Sequence, residues 1–313
     1  MKYLLNDMKL NDQALNTRRQ VLKGLSLGAF AGLFPTGNLL ANFLQDKDWE
    51  TELIRNNVGL FKGKGGTIGW LMSGEGTAAI DSQFPDSVKH FIDSLNLAED
   101  QQVNILFNSH HHGDHTGGNI AFKGIVSKVV AHENSRTNQE ATAKSRGNES
   151  SQLYPDTVFK DKWSEKIGDE TITARYFGAA HTNGDSVIHF ENANVAHVGD
   201  LVFNRRHPYI DRSAGANIAN WITVLENIRK TYDTDTLFIC GHAGNNYDVK
   251  ITHKDIQAQE KYFDRLLAFA KKEIKGGKSQ EEILKATELP GLSWQDENLS
   301  RPLKAAYEEL TGK

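Results

Sequence analysis

One stretch constrains the fold of this chain more than any other, namely VNILFNSHHHGDHTGGN at residues 103–119. Its first six residues are an apolar run with the character of a buried β-strand. Four histidines and one aspartate then follow within six positions. A buried strand that leads directly into so many imidazoles predicts a rigid scaffold with a polar site at the edge of a sheet.

The spacing H-x-H-x-D-H predicts which side chains of this cluster face the same way. In an extended backbone successive side chains point to opposite sides, so we expect His110, His112 and Asp114 to share one side. His111 then points away and is expected to support the site from behind. His115 follows on a turn that neighbouring glycines loosen. Neutral imidazole and carboxylate are ligands that zinc prefers, and the segment therefore predicts part of a metal centre.

Three later stretches each place one more ligand where an apolar strand gives way to small residues. GAAHTNGD, HVGDLVF and CGHAGN contain His181, Asp200 and His242, respectively. Together with the histidine cluster they predict two neighbouring metal sites that share one carboxylate. The first metal site comprises His110, His112 and His181; the second metal site comprises Asp114, His115 and His242; the shared carboxylate is Asp200.

Two cations held ~3.5–4 Å apart lower the pKa of a water that bridges them. The sequence therefore predicts a zinc-dependent hydrolase, in which a metal-bridging hydroxide attacks the carbonyl of a small-molecule ester, lactone, thioester or lactam. Asp114 is the predicted catalytic carboxylate, which orients the hydroxide, and it or a metal-bound water returns a proton to the leaving atom. We expect two Zn²⁺ per chain, with iron and manganese as the alternative ions.

Several other polar residues have both a functional and a plain interpretation. Asp81 ends the run GTAAID, where it either orients a ligand imidazole or is an ordinary strand-end aspartate. Arg205, Arg206 and Tyr209 follow the bridging aspartate and either border the cleft, where the arginines would favour a substrate carboxylate, or belong to a solvated loop. Cys240 is the only cysteine, which excludes a disulfide framework, and its apolar strand predicts a place in the core.

The rest of the chain divides by pattern. From about Gly65, short strand-like runs alternate with amphipathic helices, which is typical of an α/β fold. Residues 42–250 are the predicted catalytic domain. After residue 250 only helical patterns remain, and because each of these helices has one apolar face we expect residues 251–313 to pack on the same domain as a helical extension.

The N-terminus predicts export. Residues 1–41 place Arg18 and Arg19 before a modestly apolar run that is rich in glycine, and this resembles a twin-arginine export signal. The alternative is an amphipathic helix packed on the body. No later run approaches the ~20 apolar residues of a membrane span, so we expect a periplasmic or otherwise exported protein without a stable membrane span after signal removal.

The net charge of the chain limits the kinds of partner that we expect it to bind. The formal net charge is −4, and no basic stripe is present, which argues against a nucleic-acid partner. The expected partner is a small-molecule substrate, and the pattern leaves the oligomeric state open.

The ligand set, in this chain order, resembles that of the metallo-β-lactamase fold superfamily, over roughly Gly65 to Asn245. The resemblance implies a four-layer αβ/βα sandwich of two mixed β-sheets flanked by helices, with a dinuclear site at one edge of the sheets. An aspartate at position 200 makes the pattern most similar to the glyoxalase II and lactonase branch. True metallo-β-lactamases generally carry there a cysteine, or a serine that is not a ligand.

The resemblance leaves several activities open. Thioester hydrolysis fits the ligand pattern but fits export poorly, β-lactam hydrolysis fits export but not the ligand pattern, and lactone or ester hydrolysis conflicts with neither. The alternatives to a carbonyl hydrolase of this branch are a β-lactamase proper and a mononuclear iron persulfide dioxygenase of the same superfamily, in which two histidines and one aspartate hold the iron. An RNA-processing nuclease is opposed by the acidic balance and by the export signal.

Overall fold

The structure is a computed structural model that describes residues 49–95, 102–292, 294 and 299–313. The predicted export signal at residues 1–41 lies outside the described residues. Thirteen strands form two sheets within the described part of the chain. In the first sheet, strand order follows chain order: β1 (Glu50–Arg55), β2 (Val58–Lys62), β3 (Ile68–Ser73), β4 (Gly76–Ile80), β5 (Val103–Asn108), β6 (Val126–His132) and β7 (Thr157–Phe159).

The second sheet has six strands. Its order runs from β13 at one edge to β8 at the other, through β12, β11, β10 and β9. Its strands are β8 (Lys162–Ile167), β9 (Glu170–Tyr176), β10 (Ser186–Phe190), β11 (Val195–Asn204), β12 (Leu237–Ala243) and β13 (Lys250–Ile251).

Both sheets are mixed. In the first sheet β1 to β4 pair antiparallel, and β4 to β7 pair parallel. In the second sheet β8 to β11 pair antiparallel, whereas β11 and β12 run parallel. Parallel neighbours require long crossover connections, and helices supply them in this chain. The helices are α1 (Pro85–Leu95), α2 (Gly113–Thr116), α3 (Glu133–Arg146), α4 (Ile218–Thr231), α5 (His253–Lys275), α6 (Gln280–Ile283) and α7 (Ser300–Thr311).

The two sheets pack face to face, because alternate residues of their strands are apolar on the inner side. In β5, Ile105 and Phe107 point into the core between the sheets, and Ile188 and Ile239 meet them from the second sheet. Leu106 points the other way, into a core between the first sheet and α1. This alternation is the period of two that a strand imposes.

The outer face of the second sheet carries a third core. Trp221 of α4, Phe263 of α5 and Leu303 of α7 pack there around Phe238 and Cys240 of β12. The order is therefore helix, sheet, sheet, helix, and the predicted four-layer fold with C-terminal helices is confirmed. The helices after residue 250 share a single core with the second sheet.

Five of the thirteen strands have no clear signal in the sequence. Strands β1 and β2 precede Gly65, β7 and β8 follow the polar helix α3, and β13 has only two residues at the boundary after which only helices were expected. Strand β1 is largely exposed and β7 has only three residues, so neither has a clear apolar pattern. Edge strands of this kind are held by pairing with a neighbour more than by their own side chains.

Among the described residues, no helix combines the length and the apolar character needed to cross a membrane.

Candidate metal centre

The predicted ligands meet at one edge of the two sheets. The cluster of histidines follows β5 directly, Asp200 lies within β11, and His242 lies within β12. His181 lies in the connection between β9 and β10. Each ligand therefore stands on a strand or next to a strand end, where the backbone is fixed by the sheets.

The first metal site is a convergence of three imidazole nitrogens. His112 Nδ1 lies 3.1 Å from His110 Nε2 and 2.9 Å from His181 Nε2. All ligand atoms of this group, with one oxygen of Asp200 included, lie within 4.8 Å of one another. His110 and His181 are fully buried, and His112 is half-buried at the mouth.

The second metal site lies beside the first. His242 Nε2 is 3.0 Å from Asp114 Oδ2, and His115 Nε2 is 3.8 Å from the same oxygen. These three ligand atoms also lie within 4.8 Å of one another. His115 is completely buried, whereas about a third of the Asp114 side chain is exposed to solvent.

Asp200 stands between the two sites with one oxygen toward each. Its Oδ2 lies 3.6 Å from His181 Nε2 and 3.9 Å from His110 Nε2. Its Oδ1 lies 3.1 Å from His115 Nε2 and 3.6 Å from His242 Nε2. This is the placement that a carboxylate shared by two cations requires.

The buried polar atoms at this point fit a metal ion. His115 Nε2 and Asp200 Oδ1 are both buried and, despite their 3.1 Å separation, neither has a partner in hydrogen-bond geometry. Such orphaned buried atoms are rare in folded proteins. A cation bound by both atoms would satisfy them, and imidazole with carboxylate is a donor set suited to zinc.

Hydrogen bonds behind the ligands fix which ring nitrogen is free to bind. His115 Nδ1 donates to Asp81 Oδ2 (2.7 Å), and His181 Nδ1 donates to the backbone oxygen of Tyr209 (2.8 Å). His110 Nδ1 lies 3.0 Å from Ser109 Oγ, which itself donates to Asp81 Oδ2. With the proton held on the outer nitrogen, each ring presents the lone pair of Nε2 to its site.

Asp81 serves both metal sites through these contacts. Besides the ring of His115, its carboxylate accepts the backbone N–H of Ser109 at 2.7 Å. Asp81 has a φ of +64°, in the left-handed region that few residues adopt, and its side chain is fully buried. Backbone strain of this kind persists where surrounding contacts hold the residue in place.

Sequence reasoning missed Asp211. His112 Nε2 donates to Asp211 Oδ2 at 2.9 Å, which leaves the Nδ1 lone pair of His112 directed at the first metal site. His111 Nε2 lies 3.8 Å from the same oxygen. The residue lies at the end of the stretch FNRRHPYID, and the only signal that could have pointed to it was a carboxylate close after Asp200 in a segment that was expected to border the cleft.

Burial favours the neutral form of two imidazoles of the first metal site, those of His110 and His181. Burial, with the charges of neighbouring histidines, holds the pKa of His110 well below its usual value. Burial and the charge of His112 lower the pKa of His181 to about 3. Neutral imidazole is the form that binds a metal, so these two rings can bind an ion without first losing a proton.

Carboxylates dominate the second metal site. Burial alone would lower the pKa of His115, but the charges of Asp200 and Asp81 raise it well above its usual value. Burial alone would raise the pKa of Asp114, but its hydrogen bond with His242 and the charge of His115 lower it to about 2. Burial opposes ionisation of Asp200 as well, yet nearby histidines hold its pKa far below the ordinary range. Both aspartates are therefore ionised at neutral pH.

The expected geometry of the cluster was wrong at one position. Asp114 does not continue an extended backbone, because it lies in α2, a single helical turn that begins at Gly113. The turn, rather than strand alternation, aims both Asp114 and His115 at the second metal site. His111 is buried and does not converge with the first metal site. Its Nε2 lies 3.8 Å from Asp211 Oδ2, the oxygen that also contacts His112.

Of the three predicted substrate-binding residues that follow Asp200, only Tyr209 is shown in contact with a residue of the metal centre. Tyr209 is half-exposed, and its ring centroid lies 5.4 Å from that of His112. Arg205 instead turns toward Asp255, with a separation of 3.5 Å, and Arg206 is exposed. Cys240 is fully buried in the core, and burial raises the pKa of its thiol.

Two glycines permit the close approach of strands to the ligands. A Cβ on Gly241 would overlap Oδ1 of Asp200, and a Cβ on Gly66 would overlap the ring of His115. Gly241 also accepts hydrogen bonds from Thr67, which tie the two sheets together at this edge. The site is thus built where the backbones of both sheets are near enough to share one carboxylate.

Residues 78–242, more than half of the chain, match the family model described as the metallo-beta-lactamase superfamily. A curated relative, metallo-beta-lactamase IND-1 of Chryseobacterium indologenes, is 25% identical over 210 residues, which cover 63% of this chain and 84% of the relative.

Two solved structures show the same fold. A metallo-beta-lactamase from Pontibacter korlensis superimposes with a TM-score of 0.58 at 16% identity, covering 69% of this chain and 99% of the other. A double mutant of the sec-alkyl sulfatase PisA1 gives a TM-score of 0.69 at 14% identity, covering 95% of this chain and 62% of the sulfatase. At these identities the likeness concerns the fold.

Proposed function

The chain belongs to the metallo-beta-lactamase superfamily, and from that membership we propose that it is a metal-dependent hydrolase with two zinc ions per chain. The proposed substrates are small molecules with an ester, lactone, thioester or lactam carbonyl. A shared fold does not fix an activity. The proposal therefore depends on the ligands themselves.

The observation that carries the proposal is the division of the Asp200 carboxylate. Oδ2 faces the nitrogens of the first metal site, and Oδ1 faces those of the second metal site. A structural aspartate would place both oxygens on donors from the protein, whereas Oδ1 has no hydrogen-bond partner although it is buried. A carboxylate of this kind supports two ions in preference to one.

When bound at these residues, two zinc ions would supply Lewis acidity and lower the pKa of an attacking water. The residues of this chain would do the rest. The hydrogen bonds behind the four imidazoles hold the rings in fixed directions, so that each ligand nitrogen faces its site. Asp114, ionised and partly exposed, is the carboxylate of the cluster that can accept a hydrogen bond from the water and orient it toward a carbonyl.

We propose that the chain lies in the glyoxalase II and lactonase-like branch, and the aspartate at position 200 supports this. β-Lactam hydrolysis is the second candidate, because the C. indologenes relative, which is 25% identical to this chain, is named a metallo-beta-lactamase. An aspartate at position 200 favours ester or lactone substrates instead.

The proposal is tested by metal content together with a substrate panel. Zinc-loaded protein is assayed with β-lactams, homoserine lactones, thioesters, aryl esters, phosphodiesters and alkyl sulfates. We expect about two zinc ions per chain and turnover of a carbonyl substrate. Asp200→Asn should lower both the zinc content and the rate, the latter by about 10²-fold or more, while Asp161→Asn, an exposed aspartate of a loop, should change neither.

Other outcomes would contradict the proposal in distinct ways. One iron per chain with oxygen uptake on a persulfide would indicate the dioxygenase chemistry. Turnover of phosphodiesters or alkyl sulfates alone would overturn the choice of a carbonyl substrate while leaving a hydrolase.

We also propose that residues 1–41 direct export by a twin-arginine route. The pair Arg18–Arg19 ahead of a glycine-containing apolar run supports this. Arg18→Lys together with Arg19→Lys should retain the protein in the cytoplasmic fraction, whereas Lys2→Arg should not. Export of the double variant at the normal rate would contradict the route.

A further inference from the structure

A cavity of 290 Å³ lies against the outer side of the histidine loop, next to the metal centre. His111 and Gly113 form the side toward the ligands. The opposite side is formed by Gln139 and Arg146 of α3 and by Asn148, two residues beyond that helix. His111 borders both the cavity and the metal centre, because its Nε2 lies 3.8 Å from the Asp211 carboxylate.

Three side chains that line this cavity have a buried polar atom without a hydrogen-bond partner. These atoms are His111 Nδ1, Gln139 Oε1 and Asn148 Oδ1. His111 is only 5% exposed and Gln139 only 3%. Buried polar atoms are almost always paired in folded proteins, so three unpaired ones around a single cavity point to a polar ligand.

The cavity also has a cation at its rim. Arg146 is exposed, and within the described part of the chain no carboxylate lies within ion-pair distance of it. Arg146 therefore places a positive charge, without a carboxylate partner among the described residues, at the rim of the cavity.

We propose that this cavity binds an arm of the substrate that carries a carboxylate beside an N–H or O–H group. Arg146 pairs with the carboxylate, while Gln139 Oε1 and Asn148 Oδ1 accept hydrogen bonds from the donor. The assignment rests on the proposed function, since the arm would extend from a carbonyl held at the metal centre past His111. It also differs from the sequence expectation, because Arg205 is turned toward Asp255 and Arg146 takes its place.

The first test measures binding without turnover. N-acetylglycine has a carboxylate beside an amide N–H, and N-acetylglycinamide is its uncharged counterpart. Each is titrated into the zinc-loaded protein and followed by NMR chemical shifts. We expect Arg146→Gln to weaken N-acetylglycine binding about tenfold and to leave the weaker binding of the amide unchanged. Arg136→Gln, on the same helix but outside the cavity lining, should leave both unchanged.

A second variant separates occupancy of the cavity from long-range attraction. Thr142 lines the cavity on α3, and Thr142→Phe should fill it and weaken both probes. If Arg146→Gln weakened N-acetylglycine but Thr142→Phe did not, the ligand would lie elsewhere and the assignment would be wrong. Equal binding of N-acetylglycine to the wild type and to Arg146→Gln would overturn it as well, because carboxylate binding at the metals alone would not involve this arginine.

The third measurement distinguishes failure of this inference from failure of the proposed function. For a pair of ester substrates with and without a carboxylate, Arg146→Gln should raise KM about tenfold for the acidic ester only, with kcat unchanged. Absence of any ester turnover would count against the carbonyl hydrolase while the binding result still decides the cavity. Turnover with equal KM values for both esters would count against the cavity alone.

Discussion

His112 Nε2 lies 2.9 Å from Asp211 Oδ2, a contact that joins residues 99 positions apart. The carboxylate fixes the proton of His112 on the outer nitrogen and so directs Nδ1 at the first metal site. Backbone and side-chain contacts hold the carboxylate in turn, because Asp211 Oδ1 accepts the N–H of Ala214 and the hydroxyl of Ser213. Asp211 is thus a positioning residue for a predicted ligand.

Asp211→Asn should weaken the first metal site selectively. An amide can still contact His112, but it no longer stabilises the imidazole as a carboxylate does, and loss of such a partner typically lowers metal affinity about 10–100-fold. Zinc affinity is measured by competition with a chelator of known affinity. Asp81→Asn is the comparison variant, since Asp81 contacts His115 directly and His110 through Ser109, and it should weaken both sites. An unchanged affinity in Asp211→Asn would show that the contact only supports the loop.

The contrast between Asp81 and Asp211 shows which residues of the site could be predicted from the sequence. Asp81 ends a short apolar run, so a strand-end pattern suggested it. Asp211 ends a loop whose path depends on turns, and no periodicity reports where such a carboxylate will point. The convergence of the predicted ligands could be anticipated because each stands on a strand or next to a strand end, with small residues around it. Strands β1 and β7 were not, because pairing rather than their own side chains defines them.

Gly241→Ala should abolish the second metal site. The new methyl group would overlap Oδ1 of Asp200 and approach the ring of His115, so the shared carboxylate would have to move. We expect about one zinc ion fewer per chain and a loss of activity of about 10²-fold or more. Metal analysis and kcat/KM measure the two effects.

Gly74→Ala is the control for that substitution, because a Cβ on Gly74 meets no atom within 4 Å. It should retain both ions and full activity. If Gly241→Ala retained its zinc content as well, Asp200 would have room that the structure does not give it, and the proposed bridging role would be in doubt.

Acidification should remove the ion of the second metal site first. In the metal-free protein the pKa of His115 is raised by Asp200 and Asp81 against the effect of burial, so an ion there must displace a proton. Its affinity then falls about tenfold per pH unit below that pKa. The pKa values of His110 and His181 are lowered, so these two rings need not lose a proton, and we expect the first metal site to lose its ion at a lower pH than the second metal site.

Zinc content after dialysis against buffered zinc at pH 8, 7, 6 and 5 measures this difference. We expect a zinc content of about two ions per chain at pH 8 and about one ion per chain at pH 5. If both ions were lost over the same pH range, the result would contradict the different electrostatics of the two sites.

Glu309→Ala should destabilise the fold from the C-terminal extension. Glu309 in α7 accepts the backbone N–H groups of Ile218 (2.7 Å) and Ala219 (3.0 Å) at the start of α4, and it pairs with Arg212 at 3.1 Å. A carboxylate at a helix N-terminus satisfies donors that the helix leaves free.

We expect the free energy of unfolding to fall by about 1–3 kcal/mol, since two backbone donors and a cation lose their partner. Urea denaturation of the metal-free protein measures it. Glu308→Ala is the control, because among the described residues the side chain of Glu308 has a single ion pair, with Lys304 at 3.8 Å on the same helix; the substitution should cost no more than about 0.5 kcal/mol. Equal stability of the two variants would mean that residues 251–313 contribute to the domain only through their apolar face.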